Sequence, residues 1–104
     1  MSYAVISSWT STPEVFAAAG GQDTLVNAIV PMVKASPGFL RGYWTEAVDG
    51  DDKELLNYIE YDTQQNAEAA AAMMSSASPP PGVVLPAVAP TLSWAKVVQV
   101  VASA

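Results

Sequence analysis

The sequence predicts an α+β domain built on a four-stranded antiparallel sheet, and three observations carry that prediction. Segments rich in β-branched and aromatic residues alternate with helix-start signals in the order β-α-β-β-α-β. The second and third of the β segments are joined by Asp49-Gly50-Asp51-Asp52, a hairpin signal between two such runs. The chain of 104 residues, 51% hydrophobic and only 13% charged, is long and apolar enough to bury a core as one domain spanning 1–104.

Tyr3-Ala-Val-Ile-Ser-Ser-Trp9 reads as the first strand. Ser11-Thr12-Pro13-Glu14 then opens a helix, with a hydroxyl cap, a proline at the first helical position and an early acid for the dipole. Val15 to Ala19 forms a short helix that stops at Gly20-Gly21. A second start at Asp23 or Thr24 leads into Leu25 to Val33, where Leu25, Ile29, Met32 and Val33 fall at helical spacing. Pro31 predicts a kink or turn within that segment, because its ring clashes with the carbonyl four residues earlier. Ser36-Pro37-Gly38 ends it.

Phe39 to Val48 and Glu54 to Tyr61 are the two hairpin strands. Asp62-Thr63 caps a helix over Gln64 to Met74, whose alanines favour helix. Ser75 to Thr91 holds five prolines in seventeen residues and predicts an ordered extended arm, since only a short segment follows it. Leu92 to Val101 closes the chain as the last strand. This order is the split βαβ, or ferredoxin-like, plan, in which both helices pack on one face of the sheet. The other face must then be polar or meet something else.

Composition narrows the function. Four Lys+Arg stand against ten Asp+Glu, a net charge of −6. Lys34, Arg41, Lys53 and Lys96 are dispersed, so neither nucleic acid nor an anionic membrane is an expected partner. The chain has no Cys and no His, which removes thiolate and imidazole chemistry and the metal sites they build, and no metal is expected. The Asp49–Asp52 cluster lacks the spaced ligands of a calcium loop and reads as a turn. Neither a leader peptide nor an apolar run of membrane-spanning length is evident, and the expected location is the cytoplasm.

Strand alternation fixes which hairpin residues share a face. With Asp49 opposite Asp52, Trp44 faces Asn57, Gly42 faces Ile59 and Leu40 faces Tyr61; this more apolar set belongs under the helices. On the opposite face Arg41 meets Glu60, Tyr43 meets Tyr58 and Thr45 meets Leu56. An aromatic pair beside an ion pair suits a protein–protein contact better than water, so Arg41, Tyr43, Tyr58 and Glu60 are expected at a homodimer interface.

The strand order, the Ser36-Pro37-Gly38-Phe39 approach to the second strand and Asn57-Tyr-Ile-Glu-Tyr-Asp62 leading into a helix resemble the antibiotic-biosynthesis-monooxygenase-like family of dimeric α/β barrels. The resemblance covers nearly the whole chain through short motifs. It implies two ferredoxin-like subunits pressing their sheets together, each with a pocket between sheet and helices. It also implies oxidation of a quinol-like or other small aromatic molecule without any cofactor. Catalytic members carry an Asn and a Trp four positions apart on the third strand; Asn57 matches the Asn, and Tyr61 stands where the Trp usually is. The His that serves the haem-degrading branch has no counterpart in Glu68-Ala-Ala-Ala-Ala72, which contradicts haem degradation by that scheme.

The expected site is therefore Asn57 and Tyr61 as catalytic donors to a developing phenolate, walled by Trp44, Trp9 and Trp94 as substrate-binding residues. The two expected functions are a cofactor-independent monooxygenase acting on an aromatic, quinol-like molecule, and a non-catalytic homodimer that binds a small apolar ligand or whose pocket has closed. In the second case Asn57 satisfies a backbone group and the aromatics fill core.

Overall fold

A computed structural model describes residues 2–12, 14, 17, 23, 25–48, 53–75 and 91–104. Four strands, β1 (Tyr3–Ser11), β2 (Phe39–Glu46), β3 (Lys53–Tyr61) and β4 (Thr91–Gln99), form one sheet in the order β2-β3-β1-β4. Every neighbouring pair is antiparallel. A π-helical turn over Leu25–Ile29 runs into helix α1 (Val30–Lys34), and helix α2 (Gln64–Ser75) follows β3. This α+β arrangement, an open antiparallel sheet with helices, is compatible with the ferredoxin-like plan. The hairpin turn at 49–52, most of the Pro-rich arm expected over 75–91, and all of the helix expected over 15–19 except helical Ala17 lie outside the described residues.

The registers stack the sheet into rungs. On the helix-covered face the rungs are Phe39–Tyr61–Tyr3–Gln99, Gly42–Ile59–Val5–Val97, Trp44–Asn57–Ser7–Ala95 and Glu46–Leu55–Trp9–Leu92. On the open face they are Arg41–Glu60–Ala4–Val98, Tyr43–Tyr58–Ile6–Lys96 and Thr45–Leu56–Ser8–Trp94. Five of the six cross-strand pairs expected across the hairpin are present. The exception is a correction: Tyr61 stands opposite Phe39, not Leu40, because the register shifts between Phe39 and Arg41 and leaves Leu40 as the extra residue of a bulge. The bulge brings the Phe39 ring edge-on to Tyr61, with centroids 6.4 Å apart.

The core sits at the first two rungs. Val5, Ile59 and Tyr61 pack with Ala67 and Ala70 of α2, and Val33 of α1 joins from the side. Alanine at those helix positions lets the α2 backbone approach the sheet closely. Thr63 caps α2 by accepting the Asn66 backbone N–H at 3.1 Å, as the Asp62-Thr63 signal predicts.

Pro31 acts differently from a simple kink. The π turn ends at Ile29, and Pro31 occupies the first turn of α1. Its missing N–H and bulky ring are tolerated there, because the preceding turn is widened instead of continuing the α hydrogen-bond ladder. The segment closes at Gly38, whose φ of +78° is left-handed. Asp62 N–H then donates to the Gly38 carbonyl at 2.9 Å, tying this turn to the start of α2.

Candidate functional site

Tyr61 is almost fully buried in the first rung. The Ser36 hydroxyl donates its one proton to the Val33 carbonyl, so at 3.0 Å the Tyr61 hydroxyl is the donor to Ser36 Oγ. Burial raises the Tyr61 hydroxyl above its ordinary value. Its position at the base of α1 is what ties the helix end to the sheet.

Asn57 lies two rungs away, about 13 Å along β3, and is half-buried. The structure therefore does not bring Asn57 and Tyr61 to one shared point; Tyr61's proton is committed to Ser36. No hydrogen bond joins the Asn57 side-chain amide to another described residue, and it is not a sealed, unsatisfied group. Both its donor and its acceptor are uncommitted among the described residues.

Trp44 and Trp9 flank that amide from the neighbouring strands. Trp44 stands opposite Asn57 on β2, and its indole folds back over Gly42 toward Phe39. Trp9 is one rung on along β1, next to Leu55 of β3. Its Nε1–H donates to Ser7 Oγ at 3.1 Å, turning the ring back toward the rung that carries Asn57. With β3 between them, β1 and β2 are about 10 Å apart. Asn57 thus lies on the strand between those of two indoles, the Trp9 ring turned toward its rung and the Trp44 ring one rung away over Gly42, with Ser7 opposite Asn57 and fully buried. The rim toward the hairpin end carries the Lys53–Glu46 ion pair at 2.6 Å.

Trp94 is not part of this group, which corrects the expected wall. Ala95 and Val97 of β4 join the core, while Trp94 stands opposite Ser8 on the open face, with Lys96 Nζ 5.9 Å from the centroid of its ring. Alternation is the reason: Trp94 precedes core-facing Ala95 and Val97 in one unbroken register and so stands opposite Ser8, while the bulge at Ser93 moves only Leu92, which it sets opposite Trp9 on the covered face.

Ser7 was not among the expected site residues. A serine in the interior of a strand, two residues before a tryptophan on the same face, was the available signal.

The open face gathers Arg41, Tyr43, Tyr58 and Glu60. The rings of Tyr43 and Tyr58 are 6.3 Å apart and tilted by 44°. The Tyr58 hydroxyl donates to Glu60 Oε1 at 3.0 Å, and Arg41 Nε approaches the same oxygen at 3.8 Å. Burial, the bond to Glu60 and that carboxylate's charge raise the Tyr58 hydroxyl, while Arg41 pulls it down. Glu60 is buried even though no described helix covers its face, whereas Tyr43 is 59% exposed and Trp94 43%.

Among the described residues no group of three or more carboxylates is placed to hold a metal ion. No helix among them is long and apolar enough to cross a membrane. No protein-family model matches this chain, and no curated protein matches it.

Proposed function

We propose that this chain binds a small planar aromatic molecule on the helix-covered side of its sheet, between the indoles of Trp9 and Trp44. One observation carries the reading: the Asn57 amide, uncommitted among the described residues, lies on the strand between those that carry the two rings. An amide can donate to a phenolic oxygen or accept from a phenolic hydroxyl. Flat apolar walls with one polar anchor are the usual composition of a small-molecule site. The fit is to a phenol, naphthol or hydroquinone, with the rings stacking on indole and the oxygen on Asn57.

The uncommitted amide also favours a second reading, oxidation of that ligand by dioxygen without a cofactor. Deprotonated hydroquinone passes an electron to oxygen. One oxygen atom then enters the ring, and the other leaves as water with two substrate hydrogens, giving the hydroxyquinone. Asn57 would stabilise the developing phenolate by donating to it.

The same reading makes the protein a homodimer. A second copy covers the open face, the two sheets closing as a barrel over Tyr43, Tyr58, Leu56 and Trp94. Support comes from the exposed aromatic and aliphatic side chains clustered there, a composition typical of interfaces.

Calorimetric titration with 2-naphthol tests the binding reading, and oxygen uptake with a hydroquinone panel tests the oxidation. Wild type is expected to bind, and Asn57→Ala to bind at least fivefold more weakly. Equal binding by the two proteins overturns the site. Uptake by wild type that Asn57→Ala loses supports oxidation; no uptake, or equal uptake, leaves a binding protein only.

A further inference from the structure

We propose that Ser7 is a positioning residue for this site, holding the Trp9 indole turned back along β1 so that it borders Asn57. The inference rests on the binding reading above. Ser7 is fully buried on a central strand, between Val5 and Trp9 on the same face and directly opposite Asn57. A β-branched or aliphatic residue suits that position better on packing grounds, because a buried hydroxyl carries a desolvation cost. What the hydroxyl provides is an acceptor for the indole N–H at 3.1 Å.

That bond sets a direction. A tryptophan on a strand can lean either way along it. Leaning toward the chain terminus carries the Trp9 ring over the Ser7–Asn57 rung. Leaning the other way carries it toward Ser11 and the end of the sheet. A donor fixed to a residue two positions back selects the first, and it does so before any ligand arrives, which reduces the ordering cost of binding. Ser7 itself is covered in the structure, so it acts through Trp9 and not by touching the ligand.

The test compares wild type, Ser7→Ala, Trp9→Phe and the double variant by titration with 2-naphthol. Exchange of the Trp9 indole N–H is followed by NMR in the free proteins. Ser7→Ala is expected to weaken 2-naphthol binding by about three- to tenfold, the fold-change of one neutral hydrogen bond. It should also speed exchange of the Trp9 indole N–H at least tenfold while the Val5 amide stays protected. In the Trp9→Phe background, Ser7→Ala should add no further weakening. If Ser7→Ala does not fold, Trp9→Phe alone decides, since it keeps a ring and deletes the donor: unchanged affinity overturns the proposal. Wild type that binds as well as Ser7→Ala, or an indole exchange rate that does not change, overturns the positioning role alone. A wild type that does not bind 2-naphthol overturns the binding reading and this inference with it.

Discussion

The indole of Trp44 rests on the bare α-carbon of Gly42, two residues back along β2. A methyl group placed on Gly42 would stand 2.8 Å from Cη2 of that ring and 2.9 Å from Cζ3, with the Phe39 ring 3.5 Å away. Glycine is used here for close approach, not for an unusual backbone angle. It lets a large ring rest on the sheet, where it forms the edge of the core one rung from Asn57.

Gly42→Ala should therefore destabilise the fold by about 1–3 kcal/mol, the usual cost of overpacking. The near-ultraviolet circular dichroism of the tryptophans should change with it. Urea unfolding checks the first expectation; a variant as stable as wild type would show that the ring moves aside freely.

Gly38→Ala tests a second glycine for a different reason. An added Cβ would come within 2.1 Å of Asp62 Oδ1 and 2.4 Å of Asn66 Nδ2, in a residue whose φ is +78°. The left-handed backbone alone costs about 1–2 kcal/mol for a residue other than glycine. Adding Asp62→Ala in that background should recover the part of the clash due to Asp62 and leave the Asn66 contact and the backbone part. Full recovery in the double variant would mean that the backbone angle carries no strain.

Tyr61→Phe removes the bond to Ser36 and should lower stability by about 0.5–1.5 kcal/mol, with Ser36→Ala then costing only its remaining bond to the Val33 carbonyl. The substitution also has a pH signature. The folded hydroxyl ionises above its ordinary value of 10.0 because it is buried. The unfolded state therefore gives up its proton first, and stability is full below about pH 10 and falls as pH rises past it. Urea unfolding from about pH 8 to about pH 11, across the ordinary tyrosine range, should show a shallower alkaline decline for Tyr61→Phe than for wild type.

Tyr43→Arg places a new charge in each copy on the exposed part of the open face, where the proposed dimer contact is symmetric. Sedimentation should show a shift from dimer toward monomer, with the monomer's circular dichroism retained. A dimer of unchanged strength would move the interface to another surface.

The hairpin shows how much of the fold was legible. Arg41 opposite Glu60, Tyr43 opposite Tyr58 and Trp44 opposite Asn57 follow from counting outward from an Asp-Gly turn. Side-chain alternation then assigns each pair to a face. The count failed only past Leu40, where a bulge changes the parity; nothing in Leu40 itself marks it.

The amino-acid sequence by itself determined the element order, the β2–β3 register as far as the bulge at Leu40, the division into a helix-covered face and an open face, and the place of Asn57 opposite Trp44. All of these depend on residues near one another in the chain, or on a strict period of two. Only the tertiary structure decided that Tyr61 spends its proton on Ser36, that Trp94 lies on the open face, and that Ser7 turns the Trp9 ring. The first depends on where α1 ends against the sheet, and the second on the register in which the edge strand β4 pairs with β1. The third depends on which of two leanings an indole takes once its neighbours are packed. Contacts and bulges of that kind are selected by the three-dimensional surroundings of a residue, which local propensity and periodicity do not encode.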